Sequence, residues 1–255
     1  MTVPTRFPRV PLKQMDAAML VFELDRETSR VLVNRDADEE HELITAAATM
    51  ASFLHRRQTR FVRGDLPRTP YIEHPLRVAL RLLRWGATDA SLIAAALLHD
   101  VIEDCTPELL SVFGAEHEGA WVCLERLYSR RVAGLVLEVT HSVGCINPDG
   151  YLEHIEQMIG SSSDALLIKA SDLKDNAGSI RHQLGHGKDQ KLLRLLKKYL
   201  PAVERVSVAL RERADNNTGP LWSRPVVRNA AVDLEQLLED LTELSEAHGI
   251  AAHPE

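Results

Sequence analysis

The segment Ala94 to Asp104 reads AAALLHDVIED, an apolar run that ends in His99, Asp100, Glu103 and Asp104. Glu103 and Asp104 each follow four residues behind one of the first pair, so on a continuous helix all four return to nearly the same face. Leu97, Leu98, Val101 and Ile102 surround them, which puts the cluster at a core boundary. An imidazole and three carboxylates on one face are either solvated or gathered around positive charge. Two other segments supply partners. His74 follows the turn PYIE and precedes Pro75 at the start of a helix, and Asp172 lies in LLIKASDLKDN. There Lys169, Asp172 and Asn176 share one helix face. Two imidazoles and two carboxylates make a mixed nitrogen and oxygen donor set, which suits Mn, Fe or Zn better than Mg or Ca. Such a centre leaves positions open for water and a phosphate oxygen, as metal-assisted hydrolysis requires.

The elements that must position these groups read mostly as helices. Of the 255 residues 45% are hydrophobic, 26% charged and only 5% aromatic, an ordinary soluble composition that favours helix over sheet. Helical periodicity covers Asp36–Val62, Pro75–Trp85 closed by Gly86, and Asp89–Glu103. Thr106-Pro107 reads as the start of the next helix. The pattern resumes over Glu116–Val139, Tyr151–Ile159, Asp164–Leu184 and Lys188–Ala214, with an acidic last helix over Ala230–His248. Residues 63 to 73 carry a glycine and two prolines and read as a loop. The runs Leu20–Leu24 and Val31–Val33 could pair as a small β-hairpin, although the same stretch also fits a helix. The expected fold is therefore all-α, a helical bundle with that hairpin in an N-terminal extension. Its expected divisions are an extension over 1–35, a central domain over 36–200 and a helical extension over 201–255.

The net charge of −7 argues against a general electrostatic grip on nucleic acid. Three cysteines without paired short spacing fit a reducing compartment, and the N-terminus has no apolar signal region. With apolar stretches too short for a membrane span, a cytoplasmic location is expected. The sequence leaves homo-oligomerisation open.

The order His74, His99-Asp100, Asp172 resembles the HD phosphohydrolase superfamily. HRRQTR, TPYIEHPLRVA, IAAALLHDVIED and IKASDLKDN, in that order, are similar to the hydrolase domain of RelA/SpoT-type enzymes over roughly Ala46 to Gly178. These enzymes remove the 3′-diphosphate of the guanosine alarmones ppGpp and pppGpp with Mn²⁺. The resemblance implies that His74, His99, Asp100 and Asp172 bind the metal. It implies catalytic roles for Glu103 and Asp104, orienting the water and taking its proton, and substrate contacts for Arg60, Lys169 and Asn176. Tyr71 and Arg56 are candidates for the guanine. The short acidic segment after Gly178 implies hydrolysis without synthesis.

Several positions depart from that pattern. The loop between Gln58 and Pro70 is longer than usual, Phe61 replaces a basic residue, and Leu173 replaces an arginine. Asp175 adds a carboxylate where the family varies. These changes lie around the substrate rather than the metal, so two other readings stay open. One is an HD phosphohydrolase acting on another nucleotide or on the 2′-phosphate of NADPH. The other is a silent, antitoxin-like nucleotide-binding regulator. Other histidines, including His55, His141, His154, His182 and His186, read as packing or surface residues, and the basic run Lys191–Lys198 as a solvated face or a partner of the acidic last helix.

Overall fold

The computed structural model describes residues 10–32, 37–61, 68–141, 147–161, 164–184, 189–216 and 223–249. A short 3-10 turn, Leu12–Gln14, leads into α1 (Ala17–Val31) and α2 (Ala37–Leu54). A two-residue antiparallel pair, β1 (Thr59–Arg60) and β2 (Thr69–Pro70), joins α2 to α3 (Glu73–Trp85). Then follow α4 (Ala90–Leu98), α5 (Val101–Phe113), α6 (Ala120–Leu127), α7 (Arg130–Val139) and α8 (Pro148–Ser161). The last three helices are α9 (Ala165–Ala177), α10 (Asp189–Asp215) and α11 (Ser223–Ala247).

The bundle is built around α3, α4 and α9, which contact one another. Every residue of α4 except Ser91 is buried, as its unbroken apolar sequence requires of a helix enclosed on all sides. Its Leu92, Ile93, Leu97 and Leu98 are at most 1% exposed, and each such side chain contributes about 1.5–3 kcal/mol of transfer free energy. Around this centre, α1 packs on α3, α2 on α4, α7 on α4 and α9, and α10 and α11 on each other and on α9. Gly86 closes α3 at φ +104°, a left-handed conformation that favours glycine.

Three expectations are corrected. Where a hairpin was expected over Leu20–Leu24 and Val31–Val33, α1 runs as one helix through Val31; Val33 lies outside the described residues. Leu20, Leu24 and Thr28 fall four apart and bury one face, while Asp16 caps the start by accepting from the Met19 amide at 2.8 Å. The helical period therefore outweighs the β-branched content. The second correction concerns Asp89–Glu103, which is two helices. The chain turns at His99 and Asp100, and α5 continues through Thr106-Pro107 without a new start there. Similarly, Glu116–Val139 divides at Tyr128, where the Ser129 hydroxyl caps α7 by accepting from the Val132 amide. Residues 200 and 201, the expected edge of the central domain, are consecutive within α10. Among the described residues no helix is long and apolar enough to cross a membrane.

Candidate metal centre and pocket

The turn between α4 and α5 alters the electrostatics of the opening cluster. Glu103 and Asp104 occupy the first turn of α5 rather than the last turn of a longer helix. Carboxylates there are favoured by the helix dipole, whereas a C-terminal placement would oppose it.

Three helices bring the donor set together. His74 comes from the first turn of α3, His99 and Asp100 from the α4–α5 turn, and Asp172 from the middle of α9. One ligand atom each from His74, His99 and Asp172 lies within 4.8 Å of the others, a group that could hold a divalent metal ion. The Nε2 atom of His74 is 3.2 Å from Oδ1 of Asp172 and 3.5 Å from Oδ2 of Asp100. The Nε2 atom of His99 is 3.2 Å from Oδ1 of Asp100. All four side chains point at one small volume.

The residues fit a cation. The Nδ1 of His99 donates to the Ala96 carbonyl at 2.9 Å, while its buried Nε2 has no hydrogen-bond partner of suitable geometry. Burial opposes charge on this ring, yet Asp100 and Asp172 outweigh it and push the pKa up to about 9. Burial likewise works against charge on Asp172, but Lys169, His74 and His99 hold it well below the usual carboxylate range. The negative potential that would hold a proton on His99 can equally hold a divalent cation.

Beside this centre lies a cavity of about 1150 Å³ lined by Asp100, Glu103, Asp104, Lys169, Asp172 and Asn176, together with residues not anticipated. Lys169 bonds Asp172 at 3.1 Å and Asn176 donates to Asp172 at 2.5 Å. Of the other expected residues, His74 and His99 are buried behind the wall, and Arg60 stands back from it, donating to Asn176. Arg60 also lies 5.4 Å from the centroid of the Tyr71 ring. Tyr71 is tied to the centre, its hydroxyl donating to Asp100 at 2.7 Å and its ring stacked on His55. Arg56 instead pairs with Glu108 and is not in the lining. Burial, then the Asp100 charge, raises the pKa of Asp104.

Two pocket residues overturn the sequence reading. His141 is neither a surface nor a mere packing residue: its Nδ1 and its backbone amide lie 2.7 and 2.6 Å from Oε1 of Glu103, within the lining. Its ring stacks on Tyr151 at 4.9 Å. Lys198 is not part of a solvated face. Its ammonium sits 4.0 Å from the centroid of Tyr151, and burial followed by the Lys169 charge lowers its pKa. The i to i+3 and i+4 pattern of α10 could have placed Lys198 beside Leu195 and the buried Ala202, but nothing local points α10 at this pocket. Asp175, singled out by sequence only as an added carboxylate, is fully buried against His74.

No family model matches the chain. Over 127 residues it is 35% identical to the Drosophila melanogaster protein named guanosine-3′,5′-bis(diphosphate) 3′-pyrophosphohydrolase MESH1, a match covering 49% of this chain and 63% of that one. The Xenopus tropicalis protein of the same name is 48% identical over 132 residues, 51% of this chain and 65% of the relative. A Mycoplasma pneumoniae protein, named a probable guanosine-3′,5′-bis(diphosphate) 3′-pyrophosphohydrolase, is 30% identical over 166 residues, 63% of this chain and 21% of its own length. The chain thus matches less than two thirds of each of these relatives. A solved structure described as a metazoan ortholog of SpoT that hydrolyzes ppGpp superposes with a TM-score of 0.54 at 24% identity. That match covers 82% of this chain and 97% of the other, and it speaks to the fold alone. Over about half its length the chain is thus similar in sequence to proteins named guanosine-3′,5′-bis(diphosphate) 3′-pyrophosphohydrolase, and its fold is similar to that of the SpoT ortholog.

Proposed function

We propose that this protein hydrolyses the 3′-diphosphate of ppGpp and pppGpp, releasing pyrophosphate and leaving GDP or GTP, with Mn²⁺ as its cation. The observation that carries this reading is the placement of Glu103 and Asp104 in one cavity with Asp100 and Asp172, whose carboxylates meet His74 and His99 at its wall. The activity for which the relatives are named supports the substrate class.

His74, His99, Asp100 and Asp172 would hold the cation. When bound, it supplies Lewis acidity toward a phosphate oxygen and lowers the pKa of water. Glu103 takes the proton of the attacking water. One of its oxygens, Oε1, is already occupied by two donors from His141, so the other is left to face that water. Asp104 assists, its raised pKa keeping it a better proton acceptor than an ordinary aspartate. Lys169 and Lys198 neutralise the diphosphate as charge builds on the bridging oxygen, and Arg60 acts through Asn176 and Tyr71 to shape the nucleoside end. Tyr151 and Tyr199 provide flat apolar faces beside those lysines.

A substrate panel on the Mn²⁺-loaded protein tests this. Release of pyrophosphate from ppGpp, with NADPH untouched, is expected. Orthophosphate release from NADPH or another nucleotide, with ppGpp unchanged, would reject the substrate. Nucleotide binding without any turnover would favour the regulatory reading.

A further inference from the structure

His74 is held from both sides by carboxylates of one helix. Asp172 and Asp175 are three residues apart on α9 and therefore neighbours on its surface. Asp172 Oδ1 lies 3.2 Å from Nε2 of His74, and Asp175 Oδ2 lies 2.8 Å from Nδ1 on the far side of the ring. Asp175 is completely buried, and an unpaired carboxylate there would be strongly destabilising. It is paired twice. Arg77 reaches it through Nε at 2.8 Å and Nη2 at 3.1 Å, and Arg81 through Nη2 at 3.4 Å. Both arginines ride on α3, the helix that carries His74. Glu73 takes the remaining face of Arg77 at 3.2 Å, and Ser171 takes that of Arg81 at 2.8 Å. From the N-terminal turn, Lys13 bonds the Asp175 carbonyl at 3.1 Å and the Ser179 hydroxyl at 2.9 Å, fastening the end of α9.

This arrangement has one chemical consequence. A carboxylate held between two guanidiniums is ionised and can only accept, so Nδ1 of His74 must carry the proton. The lone pair is then on Nε2, aimed at the metal centre, and a charged acceptor behind the ring makes that nitrogen a stronger donor to a cation. His99 is oriented by a neutral backbone carbonyl instead. We propose that Asp175 is a positioning residue that fixes the tautomer of His74 and tightens metal binding, with Arg77, Arg81 and Lys13 holding it in place. This rests on the reading of His74, His99 and Asp172 as metal ligands.

The test uses Zn²⁺ as a diamagnetic probe. Its affinity is measured by chelator competition for the wild type and for Asp175→Ala and Asp175→Asn, with folding checked by circular dichroism. Loss of about 10- to 100-fold is expected for Asp175→Ala, and a smaller loss for Asp175→Asn, whose amide oxygen still accepts from Nδ1. A folded Asp175→Ala protein within twofold of wild type overturns the proposal. Absence of Zn²⁺ binding by the wild type would instead overturn the metal reading itself. If neither variant folds, nitrogen-15 NMR of the Zn²⁺-loaded wild type decides. A far-downfield proton on Nδ1 of His74 supports the role, and ligation through Nδ1 refutes it.

Discussion

The two sides of the centre are built differently. Behind the donor set, Arg77, Arg81 and Asp175 are buried and joined to His74 by a continuous network of charge-assisted bonds. In front of it, Glu103, Asp104, His141 and Lys198 are partly exposed and come from three separate segments around the cavity. A buried network with paired charges permits one geometry, because any unpaired member is costly. A half-exposed rim can adjust to what it binds. Under the proposed function, the back would retain the metal and the front would carry turnover.

The largest effects separate these assignments. Asp172→Ala or His99→Ala should abolish metal retention and activity together, as metal analysis of the purified variants would show. Metal kept at wild-type stoichiometry in both would erase the distinction. Glu103→Gln should keep the metal and slow turnover by about 10²–10⁴-fold, the usual cost of losing a general base. Normal steady-state turnover in that variant would remove Glu103 from the mechanism.

What the sequence could and could not reveal follows the same division. His99, Asp100 and Asp172 are legible because each ends or interrupts an apolar run within a short motif, and His74 because it follows the PYIE turn at the start of a helix. Lys169, Asp172 and Asn176 are legible through helical spacing alone. The break at His99–Asp100 is not, since both residues are near-helical in backbone and only packing decides where the axis bends. His141 and Lys198 were missed because their roles depend on the docking of α7 and α10, which no local pattern encodes. The pairing of Asp175 with Arg77 spans 98 positions and looks in sequence like two unrelated surface charges. In α1, the β-branched residues signal a strand locally, yet tertiary burial of Leu20, Leu24 and Thr28 prevails.

Smaller effects sharpen the front of the site. Lys198→Met should lower kcat/KM by about 10- to 150-fold while leaving metal content unchanged, since a charge-assisted contact is worth about 1.5–3 kcal/mol. A steady-state series at fixed metal would show it, and an unchanged value would return Lys198 to a packing role. The least effect concerns His154, whose ring lies 4.8 Å from that of His141. Burial, then the His141 and Lys169 charges, lowers its pKa to about 4 from an ordinary 6.5. Between those values the unfolded chain binds the proton that the folded one refuses, so stability falls as pH drops from about 6.5 to 4. Thermal melts should show the wild type losing more stability than His154→Gln across that window. Parallel pH curves would contradict the assignment.

The most direct test of the central claim is a turnover of ppGpp by the Mn²⁺-loaded protein in oxygen-18 water, with both products analysed by mass spectrometry. Attack of water on phosphorus, guided by Glu103, predicts label in the pyrophosphate and none in GDP. Label in the nucleotide, or no cleavage at all, would contradict the account.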